Sequence, residues 1–210
     1  MLGIPFVVNP ADIDENVPQD LEPKDAPEYL ACKKVEAIAQ RISTVQEDIG
    51  WILGADTAIL FDGKLYGKPS SKEEAATMMR TFQGQVHEVI TGVALYNDNL
   101  HDITTRKSTS RLTFAPMSEE EIEWYVNTGE WHGAAGGYRI QGLASCFIKK
   151  IDGSESGIMG LPIFELYDML KEQGYAFIER CGMPCPTPWR RSAIPAEGNL
   201  PGYRLCSAQL

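Results

Sequence analysis

Apolar residues recur at helical spacing over residues 25–42, where Leu30, Val35, Ile38 and Ile42 share one face and Asp25 and Glu28 stand at capping-box spacing. This predicts an amphipathic helix that carries Lys33 and Lys34. The run WILGADTAILFDGKL, from Trp51, reads as a buried strand with a polar interruption at Asp56-Thr57, continuing to an Asp62-Gly63 turn. Ser71 and Glu74 open a second helix by the same capping spacing, and Gly84 is placed to close it. The β-branched and aromatic stretch Val86–Tyr96, the turn at Asn97-Asp98-Asn99 and a strand running to Arg111–Phe114 predict a hairpin. Ser118 and Glu121 cap a helix that stops near Gly129, and the glycine-rich GAAGGYRIQG follows. LASCFIKKI then predicts a strand, and GLPIFELYDMLKEQG a helix with Pro162 in its first turn and Gly174 at its end.

Strand, helix, hairpin, helix, strand, helix in that order predicts an α/β or α+β domain with a mixed sheet flanked by helices. The pattern supports one domain over residues 1–180. Beyond Arg180 the chain is dense in Pro and Gly, with neither helical nor strand period, and residues 181–210 are expected to form a poorly ordered tail.

Composition narrows the function. With 210 residues, 43% of them hydrophobic and 23% charged, the chain has the make-up of an ordinary soluble domain. No apolar run reaches the roughly 20 residues that cross a bilayer, and the first twenty residues lack a basic start followed by an apolar stretch. A cytoplasmic protein with no membrane partner is expected. The five cysteines are odd in number and scattered, which suits reduced thiols, and no second Cys or His pair follows Cys181 and Cys185 at zinc-ligand spacing. A net charge of -10 argues against binding a nucleic-acid polymer, which needs clustered Lys and Arg. It leaves room for a small phosphorylated substrate held by a few lysines and a divalent cation.

Asp56 is the first candidate for chemistry, because a carboxylate set into an apolar strand costs free energy unless a cation, a metal or a reaction uses it. On residue type alone, an Asp in a Gly-Ala-Asp-Thr turn is a local cap more often than a catalyst. Lys68, between Gly67 and Pro69, sits in a defined loop that can aim an ammonium at a phosphate, or is simply solvated. Glu15 can join Asp56 in a hard-cation site, or belong to an acidic surface turn. Gln141 offers both a donor and an acceptor to the edge of a base, as a buried structural Gln would to its neighbours. Its glycine-rich surroundings lack the Gly-Lys-Ser/Thr ending of a Walker A loop. His87, His101 and His132 have no triad or metal-pair spacing.

Taken in order, Gly3-Ile4-Pro5-Phe6, Ala11-Asp12-Ile13-Asp14-Glu15, Gly54-Ala55-Asp56-Thr57, Gly67-Lys68-Pro69, Thr91-Gly92-Val93, Tyr138-Arg139-Ile140-Gln141-Gly142 and Gly160-Leu161-Pro162 resemble the Maf family of septum-formation inhibitors and nucleotide pyrophosphatases. The likeness runs from about Gly3 to about Gly174. It implies a Maf/ITPase-like fold that hydrolyses a nucleoside triphosphate to monophosphate and pyrophosphate with Mg²⁺ or Mn²⁺, and it makes a homodimer plausible. It further implies that Asp56 is the general base or metal-organising carboxylate, that Glu15 helps bind the cation, and that Lys34 and Lys68 hold phosphates. Thr57 and Gln141 would tune base choice. The subfamily acting on dTTP and UTP carries Gln in the late motif, where one acting on 7-methyl-GTP carries Glu, so Gln141 points to pyrimidines.

Two features depart from the family pattern. The usual first strand and Ser-x-Ser-Pro-Arg-Arg loop are absent ahead of Met1-Leu2-Gly3, and Ala134 stands where relatives carry Lys. Both lower the expected activity, since arginines are natural bidentate phosphate ligands. The competing expectation is a catalytically silent Maf-like protein that binds a nucleotide or a division partner.

Overall fold

A computed structural model describes residues 4, 6–43, 50–175 and 205–207. In chain order the elements are β1 (Phe6–Val8), α1 (Ala26–Ser43), β2 (Trp51–Phe61), β3 (Lys64–Tyr66), α2 (Lys72–Phe82), β4 (Val86–Asn97), β5 (Asp102–Phe114), α3 (Glu119–Asn127), β6 (Ile148–Asp152), α4 (Glu155–Ile158), α5 (Ile163–Glu172) and β7 (Leu205–Ser207). The strands form one mixed sheet in the order β1-β7-β2-β4-β5-β6, with β3 paired to β2. β2, β3, β4, β5 and β6 are antiparallel neighbours, while β7 runs parallel to both β1 and β2. The expected mixed sheet flanked by helices is therefore what the chain forms.

Alternation along β2 and β4 sorts their side chains between two layers. Ile52 and Ala94 face α1, where they pack with Ala31, Val35 and Ile38. Leu53, Val93 and Leu95 face the other way and meet Leu166, Met169 and Leu170 of α5. Farther along that second face, Ile59 and Val89 join Met79 and Phe82 of α2 and Ile122 and Tyr125 of α3. Two glycines set how close α1 comes to the sheet. A Cβ on Gly54 would lie 2.7 Å from Val35 Cγ2, and one on Gly92 would lie 2.3 Å from the backbone N and Cα of Glu28.

Several local expectations change. Asp56-Thr57 does not interrupt the strand: β2 runs unbroken through both, with Asp56 opposite Gly92 and Thr57 opposite Thr91. The ladder with β4 satisfies the backbone there, so a polar side chain is no reason to leave the strand. Asp25 and Glu28 do not form a capping box. Asp25 belongs to a 3₁₀ turn and pairs with Lys107, and Glu28 accepts a 2.5 Å hydrogen bond from Thr105 Oγ1 on β5. The full capping box is at α3, where Ser118 and Glu121 bond reciprocally. LASCFIKKI is a strand only from Ile148, because Leu143–Phe147 wind into a 3₁₀ turn.

Within the stretch expected to be an unordered tail, Leu205–Ser207 pairs in register with Phe6–Val8 on one side and Trp51–Leu53 on the other. Three residues carry too little side-chain pattern to announce a strand whose pairing is made by the backbone. The rest of 181–210 lies outside the described residues. Among the described residues, no helix is long and apolar enough to cross a membrane.

Candidate active site

β4 occupies one edge of β2 from Trp51 to Leu60. The other edge is shared, with β7 beside Trp51–Leu53 and β3 beside Ile59–Phe61. Gly54–Ala58 therefore have no strand on that edge among the described residues. A cleft of about 240 Å³ opens there, lined by Lys34, Asp56, Thr57, Lys68 and Gln141, five of the six residues singled out in the sequence. Because Asp56 and Thr57 are consecutive in a strand, their side chains leave from opposite faces, and the cleft reaches both around the open edge.

The Asp56 side is charged. α1 crosses Gly92 and Gly54 closely enough for Lys34 Nζ to reach Asp56 Oδ1 at 2.5 Å and the Ala55 carbonyl at 3.4 Å. Both side chains are largely buried, with 8% and 15% of their surface accessible. Burial pushes the Asp56 carboxyl above its ordinary range, the Lys34 ammonium opposes that, the Glu15 carboxylate adds to it and the Lys68 ammonium again opposes. Lys68 is exposed at the rim. Glu15 is exposed and does not line the cleft, so the structure brings it within electrostatic reach of Asp56 without joining it to the wall.

The Thr57 side is neutral. Thr57 Oγ1 lies 2.8 Å from Thr91 Oγ1, and Thr91 donates at 2.7 Å to the carbonyl of Gly157. Gln141 reaches the cleft from the glycine-rich loop, whose path is held by Arg139: its guanidinium donates to the carbonyls of Glu130 at 3.2 Å and His132 at 2.7 Å. Gly136 adopts φ 67°, and a Cβ there would lie 2.0 Å from Ile59 Cδ1, so only glycine lets this loop settle on β2. Ala134, buried in the same wall, contributes no charge. Sequence reasoning gave Thr91 and Arg139 no role although both stand in quoted motifs; a Thr inside an apolar strand was the available signal for the first.

No group of three or more His, Cys, Asp or Glu suited to a metal gathers among the described residues. The available hard donors are the carboxylates of Asp56 and Glu15. That set fits the habit of Mg²⁺, which binds one or two carboxylates and completes its shell with water and substrate phosphates.

A family model described as "Maf-like protein" matches residues 1–173. The chain belongs to the Maf-like family. It is 40% identical over 174 residues to a dTTP/UTP pyrophosphatase of Pelotomaculum thermopropionicum (strain DSM 13744 / JCM 10971 / SI), covering 83% of this chain and 88% of that protein. It is 38% identical to the protein of the same name from Symbiobacterium thermophilum, over 83% of this chain and 86% of that one. A third relative with that name, from Hahella chejuensis, is 40% identical over 82% and 84% of the two chains. In this Maf-like chain the Gly-Ala-Asp-Thr segment, one of the seven that carry the resemblance, lies at the open edge of β2.

Proposed function

We propose that this protein hydrolyses dTTP or UTP to the nucleoside monophosphate and pyrophosphate in the cleft at the open edge of β2. The observation that carries this reading is the buried Lys34–Asp56 pair, which shares one cleft with Lys68, Thr57 and Gln141. An ion pair this dry is a costly structural device, because desolvation of two charges offsets much of their attraction. It becomes useful if a polyanionic ligand takes the ammonium and a water molecule meets the carboxylate. The names of the relatives supply the substrate class.

In this mechanism Lys34 and Lys68 bind the phosphate oxygens and offset charge that grows on the leaving group. Asp56 accepts a proton from the water that attacks the α-phosphorus. The bond from the α-phosphorus to the bridging oxygen breaks, pyrophosphate leaves, and no covalent intermediate forms. Burial raises the basicity of Asp56 for that task, as long as the carboxylate is still ionised at the working pH. Asp56 and Glu15 are the carboxylates that would hold a divalent cation, and such a cation would supply further charge neutralisation. Thr57 and Gln141 meet the base.

Pyrophosphate release from dTTP, UTP, dATP and 7-methyl-GTP, each with Mg²⁺ or Mn²⁺, tests the proposal. Turnover is expected for dTTP and UTP, with the purines poor. The uncharged Ala134 favours one rival, a nucleotide-binding protein without catalysis. Tight dTTP binding with no pyrophosphate released would establish that rival.

A further inference from the structure

Thr57 meets the cleft as a hydroxyl, a group that ordinarily rotates to donate or accept as its partner requires. Here its rotation is blocked from behind. Thr91 has 0% of its surface exposed and lies 2.8 Å from Thr57 Oγ1 on one side and 2.7 Å from the Gly157 carbonyl oxygen on the other. The carbonyl can only accept. If Thr91 turned its single proton toward Thr57, two oxygens 2.7 Å apart would face each other, buried and with no proton between them. Thr91 therefore donates to Gly157, and Thr57 donates to Thr91.

The acceptor at the end of this chain is held in place. Ser154 Oγ accepts from the Gly157 N–H at 3.0 Å, and the Ser154 N–H in turn donates at 2.8 Å to Ser110 Oγ on β5. The Gly157 carbonyl also receives the N–H groups of Met159 and Gly160. Gly157 cannot be enlarged freely, since a Cβ there would lie 2.9 Å from Ser108 Oγ. On the cleft side Gly160 leaves Thr57 Oγ1 approachable: its own missing Cβ would lie 3.6 Å from that oxygen.

We infer that Thr91 is a specificity-determining positioning residue: by taking the Thr57 proton it fixes Thr57 as a pure acceptor toward the ligand, selecting a base with a ring N–H over one with a ring lone pair. Uracil and thymine carry a proton on N3; cytosine presents a lone pair at the same position. Gln141 cannot supply this discrimination, because an amide can flip to offer either its oxygen or its nitrogen. The inference rests on the reading that Thr57 meets the base, and it predicts rejection of cytosine, which matches uracil in size.

The test is binding of UMP and CMP to the full chain by titration calorimetry, for the wild type, Thr91→Val and Thr91→Ser. Wild type is expected to prefer UMP by about tenfold or more. Thr91→Val keeps the side-chain shape but releases the Thr57 proton, and the preference should collapse to within about threefold because CMP binding improves. Thr91→Ser retains the relay and should retain the preference. Wild type that binds both nucleotides equally, or neither, overturns the inference, as does a folded Thr91→Val protein with the preference intact. A merely structural Thr91 would weaken both nucleotides alike and leave their ratio unmoved, which also counts against it. UMP preference that follows this pattern in a protein without UTP turnover would sustain the relay while refuting the pyrophosphatase reading.

Discussion

Two buried polar pairs lie in this molecule within a few residues of the same cleft, and they are built for different ends. Lys34 and Asp56 are oppositely charged groups 2.5 Å apart at the open edge of β2, where a ligand can reach both. His87 Nε2 and the Tyr138 hydroxyl are 2.6 Å apart between β4 and the glycine-rich loop, packed among Phe82 and Phe114. Burial drives His87 down to about 4 and Tyr138 well above its ordinary value, so this pair stays neutral at physiological pH. A neutral hydrogen bond among aromatic rings has no charge to desolvate, although it leaves His87 Nδ1 buried without a partner. An ion pair with similar burial costs far more, and its place where, among the described residues, the β2 ladder lacks a strand gives that expense a use. Burial of a titratable group therefore does not mark a site by itself; Tyr138 also lines the cleft, and what separates the two pairs is that only Lys34 and Asp56 bring charged groups to it.

The comparison breaks most visibly at Asp56. Asp56→Asn keeps the shape and an acceptor for Lys34 while removing the base. Pyrophosphate release should fall by about a thousandfold, within the range for losing a general base, with the circular dichroism spectrum unchanged. Near-normal turnover in the folded variant would assign the ion pair to structure and erase the distinction.

Acid should separate the pairs by sign. Folded His87 titrates near 4, and the unfolded chain takes up that proton near 6.5. Stability from this group is complete above about 6.5 and is lost as pH falls toward 4, by on the order of 3 kcal/mol. Asp56 acts in the opposite direction: its raised carboxyl holds a proton longer in the folded state, so its contribution declines as pH rises through the folded value. Urea unfolding between pH 4 and 7 should show the histidine slope in the wild type and lose it in His87→Phe. A slope unchanged by that substitution would place the acid sensitivity elsewhere.

A smaller effect is expected from the same variant at neutral pH. His87→Phe leaves the buried Tyr138 hydroxyl without its partner, which should cost about 1–3 kcal/mol in unfolding free energy. Turnover should stay within about threefold of wild type, since His87 meets neither phosphate nor base in the proposed mechanism. A loss of turnover comparable to that of Asp56→Asn would show that the neutral pair also shapes the site.

Much of this was legible along the chain. Residues 25–42 carry helical spacing, and α1 spans Ala26–Ser43; the aromatic and β-branched run from Val86 became β4, and Ser118 with Glu121 made their capping box. Asp56 could be singled out because a carboxylate amid Trp51-Ile52-Leu53 and Ala58-Ile59-Leu60 demands a partner. Its partner could not be named, since Lys33 and Lys34 look alike on the helix and only the docking of α1 decides between them. Lys34 turns to Asp56, whereas Lys33 donates to the Asp14 carbonyl at 3.0 Å.

The sequence by itself determined the longer helices and strands, the family and the residue types at the cleft, because periodicity, caps and turns act over a few neighbours and are written locally. Tertiary structure decided where β2 lies open, which face each of Asp56 and Thr57 takes, and which way the Thr57 proton points. These depend on groups from distant stretches, Gly92 under Glu28, Thr91 beside Thr57 and the Gly157 carbonyl beyond it. A hydrogen bond's direction is set by the partner that has no choice, and here that partner is a backbone carbonyl 66 positions away from the threonine that donates to it.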